Sequence, residues 1–494
     1  MRSFRVLFII LGLLIWGCGG GGSSDSSGFV PTGKIIAVAE RNGSNVTIKV
    51  GGTEGSVPKG SMVVVTNRRT GETETIMAEA DGSFDPTFTG STNDTFSVVV
   101  SDNGTIIKDD IIGVTLISQA VKRDLAQLGS IPTAIEIQGN KAYVVNGGFN
   151  NIQIFDVDQN PPQEIGTIVL PPGSDPVGIA FLNDTIAYVS NNIGQNVAIV
   201  NVQTMQCETV ITEISGDFKP CMNPPILVPE GSFEDPWIGI VITNGKVYVS
   251  NFNFDKNFKP LGNGFVTVIN TTTNEVIKTI ELSAEQTQGI TVVGNKVYVV
   301  SAGESSFDTN LGAFIPVTDG AVDVIDPATD QIVAPIPIRL NPALPLVGSP
   351  NRLEPTPDGK FGYIGSDTAG VLFKVDLENN FLVRGTGDPI IITSAEQQDA
   401  TFDVEIRDDG LAFIPVFNTD QVFVMNTKND SINPFPFIAP FPAGQKADNP
   451  DSQFFEGVQN LAIRSEGDFP DIFFITGISS KLGSVNTTLI LPPE

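Results

Sequence analysis

The 494-residue chain has no histidine. That absence excludes His-ligated haem, His-metal sites and the imidazole bases of most hydrolases and lyases. Cysteine is nearly as scarce, with Cys18, Cys207 and Cys221 the only copies. Basic residues number 28 against 56 acidic ones, for a net charge of −28. A chain so acidic repels nucleic acid and anionic headgroups. P-loop, dinucleotide and EF-hand fingerprints are missing. The phrase DPATDQ at Asp326 spaces its acids as a metal loop does, but it falls on a turn of the repeat described below and is read as that turn. Any enzymatic chemistry would therefore use carboxylates, lysine, tyrosine or an oxygen-ligated metal.

Tyrosine is rare as well, and its five copies share one phrase: Tyr143 in KAYVVN, Tyr188 in IAYVSN, Tyr248 in KVYVSN, Tyr298 in KVYVVS and Tyr363 in FGYIGS. Each follows a tight-turn pair such as Asn244-Gly245 or Asp358-Gly359. A short apolar strand precedes each turn, and a Val-x-Val-like strand ending in Asn or Asp follows each tyrosine. Phe413 and Phe474 continue the phrase without the hydroxyl. The distance from aromatic to terminal Asn/Asp is 13 residues for Tyr143, Tyr188, Tyr363 and Phe413. It is 22 for Tyr248 and 28 for Tyr298, so the third and fourth repeats carry insertions of 9 and 15 residues. Seven repeats of about four strands each predict an all-β fold, a seven-bladed β-propeller. The last repeat runs out early, and its outer strand is expected from within Ile111 to Leu128. Residues 116–128 are also compatible with a helix by composition.

The phrase Tyr-Val-Ser-Asn, with Val-x-Val-Ile-Asn and a Thr-Asn turn after it, resembles the YVTN-type bacterial β-propeller over about residues 129–494. In later repeats Ser301, Ser366, Val416 and Gly477 stand in place of the Asn. The resemblance implies a fold more than a function. Ahead of it, residues 30–110 alternate apolar and polar in short strands between Gly/Asn/Asp turns. The run SMVVVTNRRTGETETIMAEADGSF resembles bacterial immunoglobulin-like or carboxypeptidase-regulatory-like modules, which implies a small β-sandwich before the propeller.

Arg2 and Arg5, the apolar stretch Val6 to Ile15, and Cys18 before Gly19–Gly22 resemble a bacterial lipoprotein signal. The apolar stretch is too short to span a membrane as a stable helix. The resemblance implies a signal peptide over 1–17, lipidation of Cys18, a Gly/Ser tether over 18–29, and a place in the cell envelope at the outer membrane or cell surface. Loss of 1–17 removes two arginines and no acid, taking the charge from −28 to −30. In an exported chain Cys207 and Cys221, 14 positions apart, are expected to pair. The expected division is 1–17, 18–29, 30–110 and 111–494.

Function is expected on one rim of the propeller. The insertions fall between second and third strands or between repeats, at 207–236, 252–264, 302–320, 339–350, 386–400 and 434–457. They carry Phe252, Phe254, Phe258, Phe307, Phe314, Phe435, Phe437, Phe441, Phe454 and Phe455, with Asp255, Asp308, Asp399 and Asp451 among them. Most of these phenylalanines are expected to be buried under a face that binds an envelope or surface protein or a glycan. On this reading the chain is a non-catalytic lipoprotein held to the membrane by its lipid, with no cofactor and no nucleic-acid partner; Ca²⁺ is the one ion its acidic loops suit. The alternative is a metal-dependent hydrolase that resembles propeller lactonases, with Glu354, Asp403 and Glu405 as oxygen ligands near the axis.

Overall fold

A computed structural model describes residues 35–42, 45–52, 56–89, 94–102, 105–116, 121–159, 162–255, 259–309, 311, 313–395, 398–419, 421–432, 458–464, 472–476 and 481–485. The signal, Cys18 and the tether lie outside them, as do Phe258, Phe435, Phe437, Phe441, Phe454, Phe455 and Asp451. The chain divides into two compact units between residues 121 and 122.

The first unit is a run of seven hydrogen-bonded strands, in the order Thr73–Met77, Met62–Asn67, Thr95–Asp102, Thr105–Leu116, Ile35–Asn42, Asn45–Gly52, Thr87–Thr89. Period-2 alternation puts Val63, Val65, Phe96, Val98 and Val100 on one buried face, where Phe88 and Phe96 pack with ring centres 5.0 Å apart. Strand Thr105–Leu116 pairs antiparallel with Thr95–Asp102 and, at its end, parallel with Ile35–Asn42. It passes straight through residue 110, so the boundary expected there falls inside a strand.

The second unit contains, among the described residues, seven successive sheets of four or five strands and one separate two-stranded hairpin. The first comprises Pro132–Gln138, Lys141–Asn146, Asn151–Asp156 and Gln163–Val169 in plain meander order. Later sheets open at Pro176, Pro236, Thr287, Pro350, Glu405 and Val458. The first strand of each sheet touches the first strand of the next, and that of the last returns to Pro132–Gln138. This is the ring of a β-propeller. The last sheet is completed by Val121–Gln127, its fourth strand, so residues 121–127 are strand and not helix. Gln459 Nε2 donates to the Pro132 carbonyl at 2.6 Å, and Arg464 pairs with Asp158 at 2.6 Å, which ties the last sheet to the first.

The tyrosines do more than fill space. All five are buried on second strands. Four donate their hydroxyl into the turn between third and fourth strands of the following sheet. Tyr188 reaches Asn274 Oδ1 at 2.5 Å, Tyr248 reaches Asp330 Oδ1 at 2.6 Å, Tyr298 reaches the Leu377 carbonyl at 2.8 Å, and Tyr363 reaches Asp430 Oδ1 at 2.5 Å. Asn274, Asp330 and Asp430, with Asn380 at the Tyr298 turn, occupy left-handed φ of 53–59°, which Asn and Asp tolerate best. Each stands four residues after the terminal Asn/Asp of its repeat. In the second sheet that position is Met205, which offers Tyr143 no oxygen; Tyr143 packs edge-on against Phe181 instead.

Insertions sit where the spacing located them, between second and third strands at 252–264 and 302–320. The second contains its own hairpin, Ser305–Asp308 with Ala313–Pro316. The range 207–236 needs trimming. Gln206–Thr212 is the outer strand of the second sheet, with Cys207, Val210 and Ile211 buried, so the insertion starts after Thr212. Cys207 and Cys221 are joined, S–S 2.00 Å, which fastens that insertion to the strand.

Candidate binding face and axial wall

A recurrent backbone device places the start of each inner strand. Ile131, Asp175, Asp235 and Ser349 precede the opening prolines of four sheets with φ of 55°, 51°, 51° and 44°. The ordinary helical region is disfavoured before proline. Their carbonyls accept the N–H of the residue that follows the second strand: Gly147 at 2.8 Å, Asn192 at 2.9 Å, Phe252 at 3.1 Å and Asp367 at 3.0 Å. The start of every such inner strand is thereby fixed beside the loop after the second strand. The Ser-x-Pro phrase at 130–132 and 174–176 is a legible trace of this device in the sequence.

The residue after the opening position forms a mouth row in six sheets: Thr133, Val177, Trp237, Gln288, Asn351 and Gln459. In the sixth, the Ala400 carbonyl accepts the Phe417 N–H at 2.9 Å as Ile131 accepts that of Gly147, which makes Phe402 the counterpart of Thr133. Three sheets share one hydrogen-bonded chain in this row. Trp237 Nε1 donates to Gln288 Oε1 at 2.8 Å, Gln288 Nε2 to Asp367 Oδ2 at 3.3 Å, and Asn351 Nδ2 to Asp367 Oδ1 at 2.5 Å. Burial pushes the Asp367 carboxyl up to about 7 against the Asn351 hydrogen bond. Trp237 stacks on Phe252 at 4.2 Å, and Phe252 meets Phe254 at 5.2 Å. Across the ring, Phe402 meets Phe417 edge-on at 5.2 Å.

Of the proposed phenylalanines that are described, Phe252 is buried, Phe254 and Phe314 are half-buried, and Phe307 is 43% exposed. Phe307 and Phe314 pack edge-on at 5.3 Å within their hairpin. Among these four, burial is complete for Phe252 and lacking for Phe307; the other six lie outside the described residues. The hairpin is an isolated two-stranded sheet, too thin to hide both of its rings. Leu311 and Val317 beside it are 54% and 42% exposed.

Deeper on the inner strands the wall is lopsided. The second and fourth sheets present Gly178 and Gly289 after the mouth residue, whereas the fifth, sixth and seventh present Arg352, Asp403 and Asn460. Arg352 Nη1 lies 3.3 Å from Asp403 Oδ1, and Asp403 Oδ2 accepts the Leu461 N–H at 3.1 Å. Beyond them lie Glu354 and Glu405, with Glu136 from the first sheet. Sequence reasoning singled out Glu354, Asp403 and Glu405; it missed Glu136 and Arg352, which complete the group. Burial pushes Glu136 up to about 7; burial and the Asp403 charge push Glu354 up to about 8. Burial also raises Asp403 and, with its acidic neighbours, Glu405 well above the usual range. Among the described residues no group of three or more Cys, Asp or Glu has metal-binding geometry, and Arg352 stands within the cluster the alternative reading needed for a cation.

These carboxyls bind protons in the folded state that the unfolded chain releases. Their contribution to stability is complete below the unfolded pKa near 4 and is lost as pH rises through about 7–8. The melting temperature is expected to fall between pH 5.5 and 8.5, on the order of 5 °C after allowance for solvent screening. A melting temperature that rises across that window would contradict the arrangement.

A cavity of about 640 Å³ opens on the opposite rim, between the tight turns of the fourth and fifth sheets. Tyr298, Glu354, Pro355, Thr356, Leu377 and Asp408 line it, so it reaches the acidic group from below.

No family model matches the chain, and no curated protein matches it. Among solved structures, hydrazine synthase of Kuenenia stuttgartiensis superposes with a TM-score of 0.53 at 14% identity, covering 74% of this chain and 97% of that one. The β-propeller domain of Cps50 (Swd1) from Myceliophteria thermophila gives 0.49 at 9% identity, covering 74% and 99%. Virginiamycin B lyase of Staphylococcus aureus gives 0.47 at 13%, covering 74% and 98%. Likeness at such identity speaks to fold alone. The closed ring of sheets, with the likeness to hydrazine synthase, makes the chain an all-β protein built on a β-propeller.

Proposed function

We propose that the chain is a YVTN-type cell-envelope lipoprotein, anchored through Cys18, whose propeller is a non-catalytic binding module for an envelope or surface protein or a glycan. The immunoglobulin-like reading of the first unit makes it a spacer between anchor and propeller. The observation that carries the proposal is that the long insertions and the aromatic–amide mouth share one rim: Phe252, from the 252–264 insertion, stacks directly on Trp237 of the mouth. Exposed Phe307, Leu311 and Val317 extend that rim outward. Long loops on a rigid ring are where binding residues collect.

The test is affinity capture from envelope extract by the full-length protein and by a variant whose 302–320 insertion is cut to a two-residue turn. Loss of at least tenfold of the captured partner, with melting unchanged, is expected. Equal capture would refute a role for this rim. In the same preparation Cys18→Ala is expected to leave the membrane fraction; a variant that stays there would refute the anchor.

A further inference from the structure

We propose that the mouth of the propeller is a site for a neutral saccharide, with Trp237 as stacking platform and Gln288, Asn351, Asp367 and Arg352 as partners for its hydroxyls. This rests on the binding reading above and names the ligand class for that same rim.

Three observations converge. The first is an aromatic surface held rigid: Trp237 is fixed on one face by Phe252 and at its N–H by Gln288, yet its ring remains partly exposed. A ring locked this way offers the C–H face of a pyranose a flat apolar surface without an ordering cost. The second is the mixture of hydrogen-bonding types. Gln288 has an amide hydrogen beyond those it gives Asp367, Asn351 has its carbonyl oxygen, and Arg352 has guanidinium N–H groups beyond the one nearest Asp403. Donors and acceptors therefore alternate over two neighbouring inner strands. Hydroxyl groups, each donor and acceptor at once, satisfy such a set, whereas an apolar ligand would leave it unpaired.

The third is charge. An anionic ligand at Arg352 would have to compete with Asp403, which already lies 3.3 Å from that guanidinium, within a group that also holds Glu354, Glu405 and Glu136. A cationic ligand would be set against Arg352 itself. A neutral polyol meets neither penalty. The placement adds direction: the polar groups belong to the fourth and fifth sheets and the stacking ring to the third, so a sugar on Trp237 presents one edge to the amides and the other to solvent.

The full-length protein is to be screened on an array of neutral and acidic glycans, and the best neutral oligosaccharide titrated by calorimetry. Binding of a neutral glycan is expected, at least tenfold weaker for Trp237→Ala and for Asn351→Ala, and within about threefold of wild type for Trp237→Phe, which keeps a platform. Thermal melts identify a variant that has merely unfolded, and Asn351→Ala, which removes no ring, serves where Trp237→Ala does so. Binding restricted to acidic glycans, binding to none, or equal affinity in folded Trp237→Ala and Asn351→Ala would overturn the site. Envelope capture that depends on 302–320 while no neutral glycan binds would overturn this inference and leave the binding function standing.

Discussion

Asp330→Ala is expected to destabilise the propeller by about 3 kcal/mol. The reason is that one carboxylate serves two sheets. Its Oδ1 accepts the Tyr248 hydroxyl at 2.6 Å, its Oδ2 pairs with Lys246 at 2.6 Å, and its carbonyl accepts from Lys278 Nζ. Lys246 and Asp330 are largely shielded from solvent, with side-chain exposures of 16% and 11%. Their interaction thus lies above the range of exposed ion pairs, though residual screening trims it. Alanine also fits the left-handed φ of 53° poorly, which adds about 1 kcal/mol. Asp330→Asn keeps an acceptor and the backbone preference, so it is expected to cost about a third as much. Denaturant unfolding of both, with Tyr248→Phe for a double-mutant cycle, measures the coupling. An Ala variant no less stable than Asn would remove the carboxylate from this role.

Gly365→Ala is expected to be worse, about 4 kcal/mol or outright failure to fold. A Cβ at Gly365 would stand 1.9 Å from the Thr401 carbonyl oxygen. That carbonyl cannot retreat cheaply. Thr401 donates its N–H to the Ser366 carbonyl at 2.8 Å, its Oγ1 accepts the Ser366 N–H at 2.7 Å, and the same hydroxyl lies 3.0 Å from the Val371 carbonyl. Thr401 is thus held against the fifth sheet, and a methyl group on Gly365 would wedge the two apart. Gly387→Ala is the matched control, since nothing lies within 4 Å of its added Cβ. Soluble yield and melting temperature of the pair decide the matter; equal behaviour would show that the sheets slide freely.

Why the scaffold was legible and the mouth was not follows from where each signal resides. The repeat is local. Tyr248, its turn Asn244-Gly245 and its terminal Asn270 lie within one stretch of chain, so spacing alone exposes them. Even the latch is nearly local, because its acceptors Asn274, Asp330, Asn380 and Asp430 keep a constant offset from the terminal Asn/Asp. The mouth is assembled otherwise. Trp237, Gln288 and Asn351 come from three sheets about 50 to 60 residues apart, and nothing in the composition around any one announces the others. Their shared height depends on the irregularity in register after each opening residue, between Pro236 and Ile240, Thr287 and Ile290, and Pro350 and Leu353. Arg352 was passed over for a related reason. Beside Glu354 it reads as an ordinary surface pair, and only the ring brings Asp403 across to it. The boundary expected at 110 falls inside one strand, Thr105–Leu116, whose paired like residues (Ile106-Ile107, Asp109-Asp110, Ile111-Ile112) carry no period-2 signal to reveal it.

The strand Val121–Gln127 has a consequence for the life history of the molecule. Its hydrogen-bonded neighbour is Lys481–Val485, about 350 residues later. An emerging chain makes the first six sheets in order while this strand waits without a partner. At about 5–20 residues per second the wait is on the order of tens of seconds. During that interval the molecule is an open arc with two raw edges, the state most exposed to proteolysis and to pairing with a neighbour's edge. Arrival of the last three strands ends both hazards in one step, so the ring closes only once Lys481–Val485 has been made.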